Sequence, residues 1–376
     1  MKQSANNKAR VLVVDDSAFM RKVLESIFNA DPHLQVVGHA KDGNEAVALA
    51  ESLEPDVITM DINMPHMDGL RATELIMSRN PRPIVIVSSE SREAADSTLR
   101  ALEFGAIEFV GKPSAGVDLD MASVKDELLR KVRMASKVRV VRTACGDRHG
   151  SAHSSDASAP SLAEKPALQD LAASAAARKF PIVVLVASTG GPATIMRLAP
   201  GFTRDFPGAV VVVQHMPASF TSQYAAQLAE YTKIKVKEAE QNESLRAGTL
   251  YICPGSHHLR ISRAGRIQLE GGGRINQYLP CMDVTLESAA ACGGSLCVGV
   301  VLTGMGNDGV QGIRAVKKAG GLTIAQDEAT CVIFGMPGEA IKTGAIDHVL
   351  ALEEIYAAIE KHVMGIASLA SVASRL

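Results

Sequence analysis

The 376-residue chain carries almost no excess of either charge, with 39 Lys and Arg against 41 Asp and Glu. That balance leaves no strong net field for nucleic acid or an anionic membrane, and no basic recognition helix or patch interrupts it. The expected partners are therefore proteins or small molecules, with no nucleic acid among them and no DNA-binding output. Long apolar runs are also missing. After the polar opening Met-Lys-Gln-Ser-Ala-Asn-Asn-Lys-Ala-Arg, the run Val11–Val14 is too short for a signal peptide or a membrane span. A cytoplasmic, non-inserted protein is expected. The six cysteines, Cys145, Cys253, Cys281, Cys292, Cys297 and Cys331, are irregularly spaced with no Cys-x-x-Cys pair, which removes the usual zinc and redox motifs. They read as mostly buried, reduced thiols. No solenoid repeat is visible.

What is present is apolar patterning at strand length. A hydrophobic share of 47% over this length predicts two globular domains, each with its own core. Strand-like runs recur at 11–14, 36–39, 57–60, 84–87 and 107–110, separated by segments with helical periodicity. Five βα units predict a parallel sheet covered on both faces, over residues 10–135. Residues 142–178 turn to Ala, Ser, Gly and Pro with scattered charge, the composition of a linker. The alternation restarts at 182–187, 209–214, 249–253, 297–303 and 322–326, predicting a second α/β domain over 179–368. Within it, 259–261 and 266–269 read as a small hairpin through Arg263-Ala264-Gly265. The fold class is thus two doubly wound parallel-sheet domains, the first flavodoxin-like and the second Rossmann-like.

Asp15 and Asp16 follow the first strand and Asp61 ends the third, so a parallel sheet brings three carboxylates to one carboxyl edge, where ligands bind in open α/β sheets. Clustered carboxylates repel unless a hard cation joins them, and Mg²⁺ suits because it takes few carboxylates and leaves room for phosphate oxygens. One carboxylate can then accept a phosphoryl group. Ser88 closes the fourth strand, and Lys112 follows the fifth ahead of Pro113, read as a cis-proline turn aiming the ammonium at the pocket. The plainer alternative is that the aspartates only cap helices.

The second domain repeats the arrangement with different chemistry. Ser188 ends one strand in Ala-Ser-Thr-Gly-Gly-Pro, His215 ends the next before Met216-Pro217, and Asp308 lies in the glycine-rich turn after 297–303. Serine needs a base to become a nucleophile, and the imidazolium then formed needs an anion, so these three types suit acyl transfer. Taken singly, each has a duller reading as a helix cap or a satisfied strand end. Gly304-Met-Gly306-Asn-Asp-Gly309 also fits G-x-G-x-x-G, with Asp327 and Glu328 near the ribose position. Asp308 would, however, set a carboxylate where the pyrophosphate must lie. The order Ser, His, Asp and the absence of Gly-x-Ser-x-Gly separate the chain from α/β-hydrolases.

The first domain resembles response-regulator receiver domains through Val-Val-Asp-Asp-Ser, Asp61-Ile-Asn-Met-Pro-His-Met-Asp-Gly69, Val-Ser-Ser and Gly-Lys-Pro. The resemblance implies phosphorylation of Asp61 by a histidine kinase. It also implies Mg²⁺ held by Asp16, Asp61 and the Asn63 carbonyl, with Asp15 acting through water, and coupled movement of Ser88 and Phe109. With the second domain added, the chain resembles the chemotaxis protein-glutamate methylesterases, through the Ser188, His215 and Asp308 segments, Ala-Gln-Asp-Glu-Ala-Thr and Gly-Met-Pro-Gly-Glu-Ala-Ile. That implies Ser188 as nucleophile, His215 as base, Asp308 as its orienting acid, the Met305 amide as oxyanion donor and a hydrogen bond from Thr189 near the base. It further implies methylated chemoreceptors as substrate, methanol as product, glutamine deamidation as a second activity, a monomer, and no cofactor in the catalytic domain. The rival from the binding class is a switched adaptor with a vestigial triad. One departure stands out: Leu279-Pro-Cys-Met-Asp283 replaces the usual Arg-Pro-Ser-Val-Asp, and substrate preference is expected to feel it.

Overall fold

The computed structural model describes residues 8–88, 92–112, 118–138 and 180–373. The linker expected over 142–178, Cys145 and the turn at Pro113 lie outside the described residues.

The first domain alternates β1 (Ala9–Val14), α1 (Ala18–Asn29), β2 (Leu34–Ala40), α2 (Gly43–Leu53), β3 (Val57–Met60), α3 (Gly69–Arg79), β4 (Ile84–Ser88), α4 (Arg92–Glu103), β5 (Glu108–Gly111) and α5 (Asp118–Ala135). Its all-parallel sheet has the order β2-β1-β3-β4-β5. The chain moves one way from β1 and the other way from β3, so the crevice between those strands is the switch point. Helices start where short polar side chains accept the free amides: Ser17 for α1, Asp42 for α2 and Asp68 for α3. The caps are therefore not Asp15, Asp16 or Asp61, which leaves those carboxylates for the sheet edge.

The second domain contains β6 (Ile182–Ala187), α6 (Gly191–Leu198), β7 (Ala209–Gln214), α7 (Ala218–Tyr231), β8 (Lys235–Glu238), β9 (Thr249–Ile252), β10 (His257–Ile261), β11 (Ile267–Gly271), α8 (Met282–Gly293), β12 (Cys297–Val301), α9 (Val310–Lys318), β13 (Leu322–Gln326), α10 (Met336–Lys342), β14 (His348–Leu350) and α11 (Leu352–Ala373). Seven parallel strands take the order β14-β13-β12-β6-β7-β9-β8, and β10 pairs with β11 antiparallel as the expected hairpin. Strands β6, β7 and β12 are buried along their whole length, as their unbroken Val-rich runs require when helices cover both faces. Here the switch point lies between β6 and β12.

The two domains touch. Helix α4 packs on α7 and α6, Phe109 meets Phe220 with ring centroids 4.5 Å apart, and Glu103 bonds Gln227. From α5, Arg130 Nη1 donates to the Met305 sulfur at 3.5 Å.

Candidate active site

In the first domain, oxygens of Asp15, Asp16 and Asp61 lie within 4.8 Å of one another. Asp15 and Asp61 are buried, and Lys112 Nζ bridges them at 2.9 and 2.7 Å. Burial raises the Asp61 carboxyl above the ordinary range despite the ammonium beside it. Burial alone would lower Lys112, but its two carboxylate partners more than offset that and leave it raised. The Asn63 amide bonds Asp61, placing that residue at the same edge. An all-oxygen donor set with an adjoining cation fits a small hard ion and a phosphate together. Buried Ser88 ends β4 one strand away, its carbonyl accepting from the Lys112 amide at 2.8 Å. Phe109 is buried too. Lys131 donates to its carbonyl at 2.7 Å and lies 5.2 Å from its ring centroid.

In the second domain the three residues spaced along the sequence come into contact. Ser188 Oγ lies 3.2 Å from His215 Nδ1, and His215 Nε2 lies 2.8 Å from Asp308 Oδ2. None of the three follows the duller reading, since α6 and α9 are capped by Gly190 and Gly309 and the histidine is held between two polar partners. The Ser188 backbone is fixed by three bonds: its amide donates to Thr303 O at 3.0 Å, and its carbonyl accepts from Gly191 N at 2.8 Å and Gln214 Nε2 at 2.9 Å. A nucleophile fixed in this way loses little freedom on reaction.

Asp308 is fully engaged. The amides of Met282 and Asp283 at the start of α8 donate to it at 2.8 and 3.1 Å, and the Cys281 thiol donates at 3.4 Å. Burial alone would raise this carboxyl, but His215 and the two amides together hold it below the ordinary range. Cys281 is wholly buried behind the aspartate, its thiol pushed up to about 12 by burial and by Asp308, so it stays a protonated donor. The exchange of Ser for Cys at this position therefore falls on a side chain bonded to Asp308. Asp283 shares the pocket, its carboxyl raised to about 6 by burial and the nearby Asp308, while Gly312 N donates to it at 2.8 Å.

The two expected support residues lie in segments that adjoin Ser188. Thr189 is buried next to Ser188, and its carbonyl accepts from Thr303 Oγ1 at 3.0 Å; among the described residues no bond from its side chain to the base is found. Met305 stands in the glycine-rich turn. Gly304 N donates to Ile333 O, and Gly304 O accepts from Gly335 N and Met336 N. The Met305 amide has no such backbone partner among the described residues. The dinucleotide reading of this turn fails on the same geometry, because Asp308 is committed to His215 and α8, and Asp327 accepts from Thr330 N at 3.0 Å. Missed by sequence reasoning was Tyr278, whose ring stacks on His215 at 4.8 Å between centroids, 7° from parallel.

Comparisons with known proteins identify the family. The family model described as the CheB methylesterase matches residues 183–359, and that of the response regulator receiver domain matches 11–123. The protein-glutamate methylesterase/protein-glutamine glutaminase of Pyrococcus horikoshii is 42% identical over 369 residues, covering 95% of this chain and 94% of that protein. The Thermotoga maritima protein of the same name is 42% identical over 349 residues, covering 92% and 96%. The crystal structure of the Thermotoga maritima CheB methylesterase catalytic domain is 40% identical, covers 49% of this chain and 98% of that one, and superposes with a TM-score of 0.46. The chain belongs to the protein-glutamate methylesterase/protein-glutamine glutaminase family, with a response-regulator receiver domain ahead of its methylesterase domain.

Proposed function

We propose that the chain hydrolyses glutamate methyl esters on the cytoplasmic regions of chemoreceptors, releasing methanol, and that phosphorylation of Asp61 by a chemosensory histidine kinase raises this activity during adaptation. The observation carrying the chemistry is the contact series Ser188 Oγ, His215 Nδ1, His215 Nε2, Asp308 Oδ2, at 3.2 and 2.8 Å. In this reading His215 Nδ1 takes the Ser188 proton as Oγ attacks the ester carbonyl, and Asp308 stabilises the imidazolium. The Met305 amide, without a backbone partner among the described residues, would donate to the developing oxyanion. The imidazolium then gives its proton to departing methanol, and water attacks the acyl-serine by the reverse proton route. The same steps with ammonia as leaving group deamidate glutamine.

Asp15, Asp16, Asp61 and the Asn63 carbonyl are the residues that would hold Mg²⁺, which when bound neutralises charge on the incoming phosphoryl group. Lys112 pairs with the phosphorylated carboxylate. Support for gating comes from the domain contact: Phe109 of the receiver rests on Phe220 of α7, the helix following His215, and Arg130 rests on Met305. Rearrangement of Ser88 and Phe109 on phosphorylation would loosen both. The test is methanol release from methylated receptor membranes. Release by the wild type and none by Ser188→Ala is expected, while equal release from both ends the esterase reading.

A further inference from the structure

His215 is held by two bonds at the edge of its ring, one at Nδ1 and one at Nε2. Neither bond touches a face of the ring, and a roll of the imidazole about its Cβ–Cγ bond would swing both nitrogens out of line with their partners. A flat contact on the ring face is what stops a roll, and Tyr278 supplies one, 7° from parallel.

The chain takes trouble to place that ring. Ile275 and Tyr278 exchange backbone bonds at 3.0 and 2.9 Å around Asn276 and Gln277, both at positive φ (50° and 74°), the pattern of a tight primed turn without its usual glycine. At its other end, the Tyr278 hydroxyl rests on the glycine-rich turn: a Cβ added at Gly306, itself at φ 95°, would fall 2.4 Å from Oη. Four residues on, the same segment becomes the start of α8, whose amides hold Asp308. One stretch of chain thus braces both the base and its acid.

We propose that Tyr278 is a positioning residue for His215, acting through its ring face and not its hydroxyl. The proposal rests on the esterase reading for its substrate but not for its geometry. In full-length protein, Tyr278→Phe keeps most of the activity. Tyr278→Leu lowers kcat about tenfold or more, since small misplacements of a catalytic group cost factors of this order, and leaves KM nearly unchanged. Tyr278→Met fills the space without a flat face and gives a second reading should the leucine variant unfold. The second measurement is the rate at which a fluorophosphonate labels Ser188, which needs an aligned base but no receptor, and which falls in parallel with kcat. Wild-type kcat and labelling rate in both Tyr278→Leu and Tyr278→Met overturn the proposal, as does an equal loss in Tyr278→Phe. If methanol release proves independent of Ser188 while labelling still falls in Tyr278→Leu, the ester substrate is wrong and the positioning role stands.

Discussion

Asp308 carries the largest share of the site's electrostatics, because one carboxylate accepts from the imidazole, two amides and a thiol. Asp308→Asn keeps the shape but removes the charge that stabilises the imidazolium, and kcat is expected to drop by about 10⁴, measured as methanol release. Its neighbour titrates in the opposite sense. The Asp283 carboxyl is raised in the fold to about 6 from an ordinary 3.8, so its contribution to stability is fully present below about 4 and lost as pH rises through about 6. In Asp283→Asn that loss disappears, so thermal midpoints followed between pH 4 and 6 should decline less steeply than in the wild type. An unchanged profile would mean that Asp283 ionises normally. Ser188, His215 and Asp308 were legible as a group because each polar residue follows an apolar strand, and strand ends converge in a parallel sheet. Tyr278 and the α8 amides were not. Tyr278 sits in irregular chain without periodicity, and a backbone donor leaves no mark on residue identity. The role of Cys281 was legible only as a departure, and only the packing shows that it faces Asp308.

At the scale of the elements, two glycines set how closely backbone can approach a reactive residue. A Cβ on Gly304 would lie 2.9 Å from Ser188 Cβ and 2.4 Å from Met336 Sδ, and one on Gly69 would lie 1.9 Å from Asp61 O. Gly304→Ala is expected to lower kcat far more than it weakens receptor binding. Gly69→Ala should slow phosphorylation of Asp61, followed with a small-molecule phosphoryl donor, while leaving unphosphorylated esterase activity in place. The sheet interiors were legible because buried parallel strands are continuous apolar runs. The outer strands β8 and β14 were missed. Lys-Val-Lys-Glu and His-Val-Leu are short, half-exposed edges, where charge guards against further pairing and blurs the pattern. The hairpin was placed correctly but two residues short at each outer end, where Gly271 and His257 pair without an apolar signal.

Across the whole molecule, the receiver's β5 and α4 lean on α7, the helix that follows His215, and this packing is the route by which the two sites would communicate under the proposed function. Glu103 holds its rim through Gln227 and Tyr231, and burial there raises its carboxyl. Glu103→Ala should loosen the contact and raise unphosphorylated activity, by a factor of about five for each 1 kcal/mol of interface lost. No change in basal rate would detach this interface from regulation. That two domains exist, and which edge of each gathers the candidate site residues, was legible in the sequence. Their mutual placement was not, because Phe109 and Phe220 look like ordinary core residues of separate folds. Asp61 is proposed to govern ester hydrolysis at Ser188, and the direct measurement is methanol release from methylated receptor membranes with and without a phosphoryl donor and Mg²⁺. The wild type should accelerate with the donor, Asp61→Asn should stay at its basal rate, and Ser188→Ala should release none. Equal acceleration of Asp61→Asn and the wild type would contradict it.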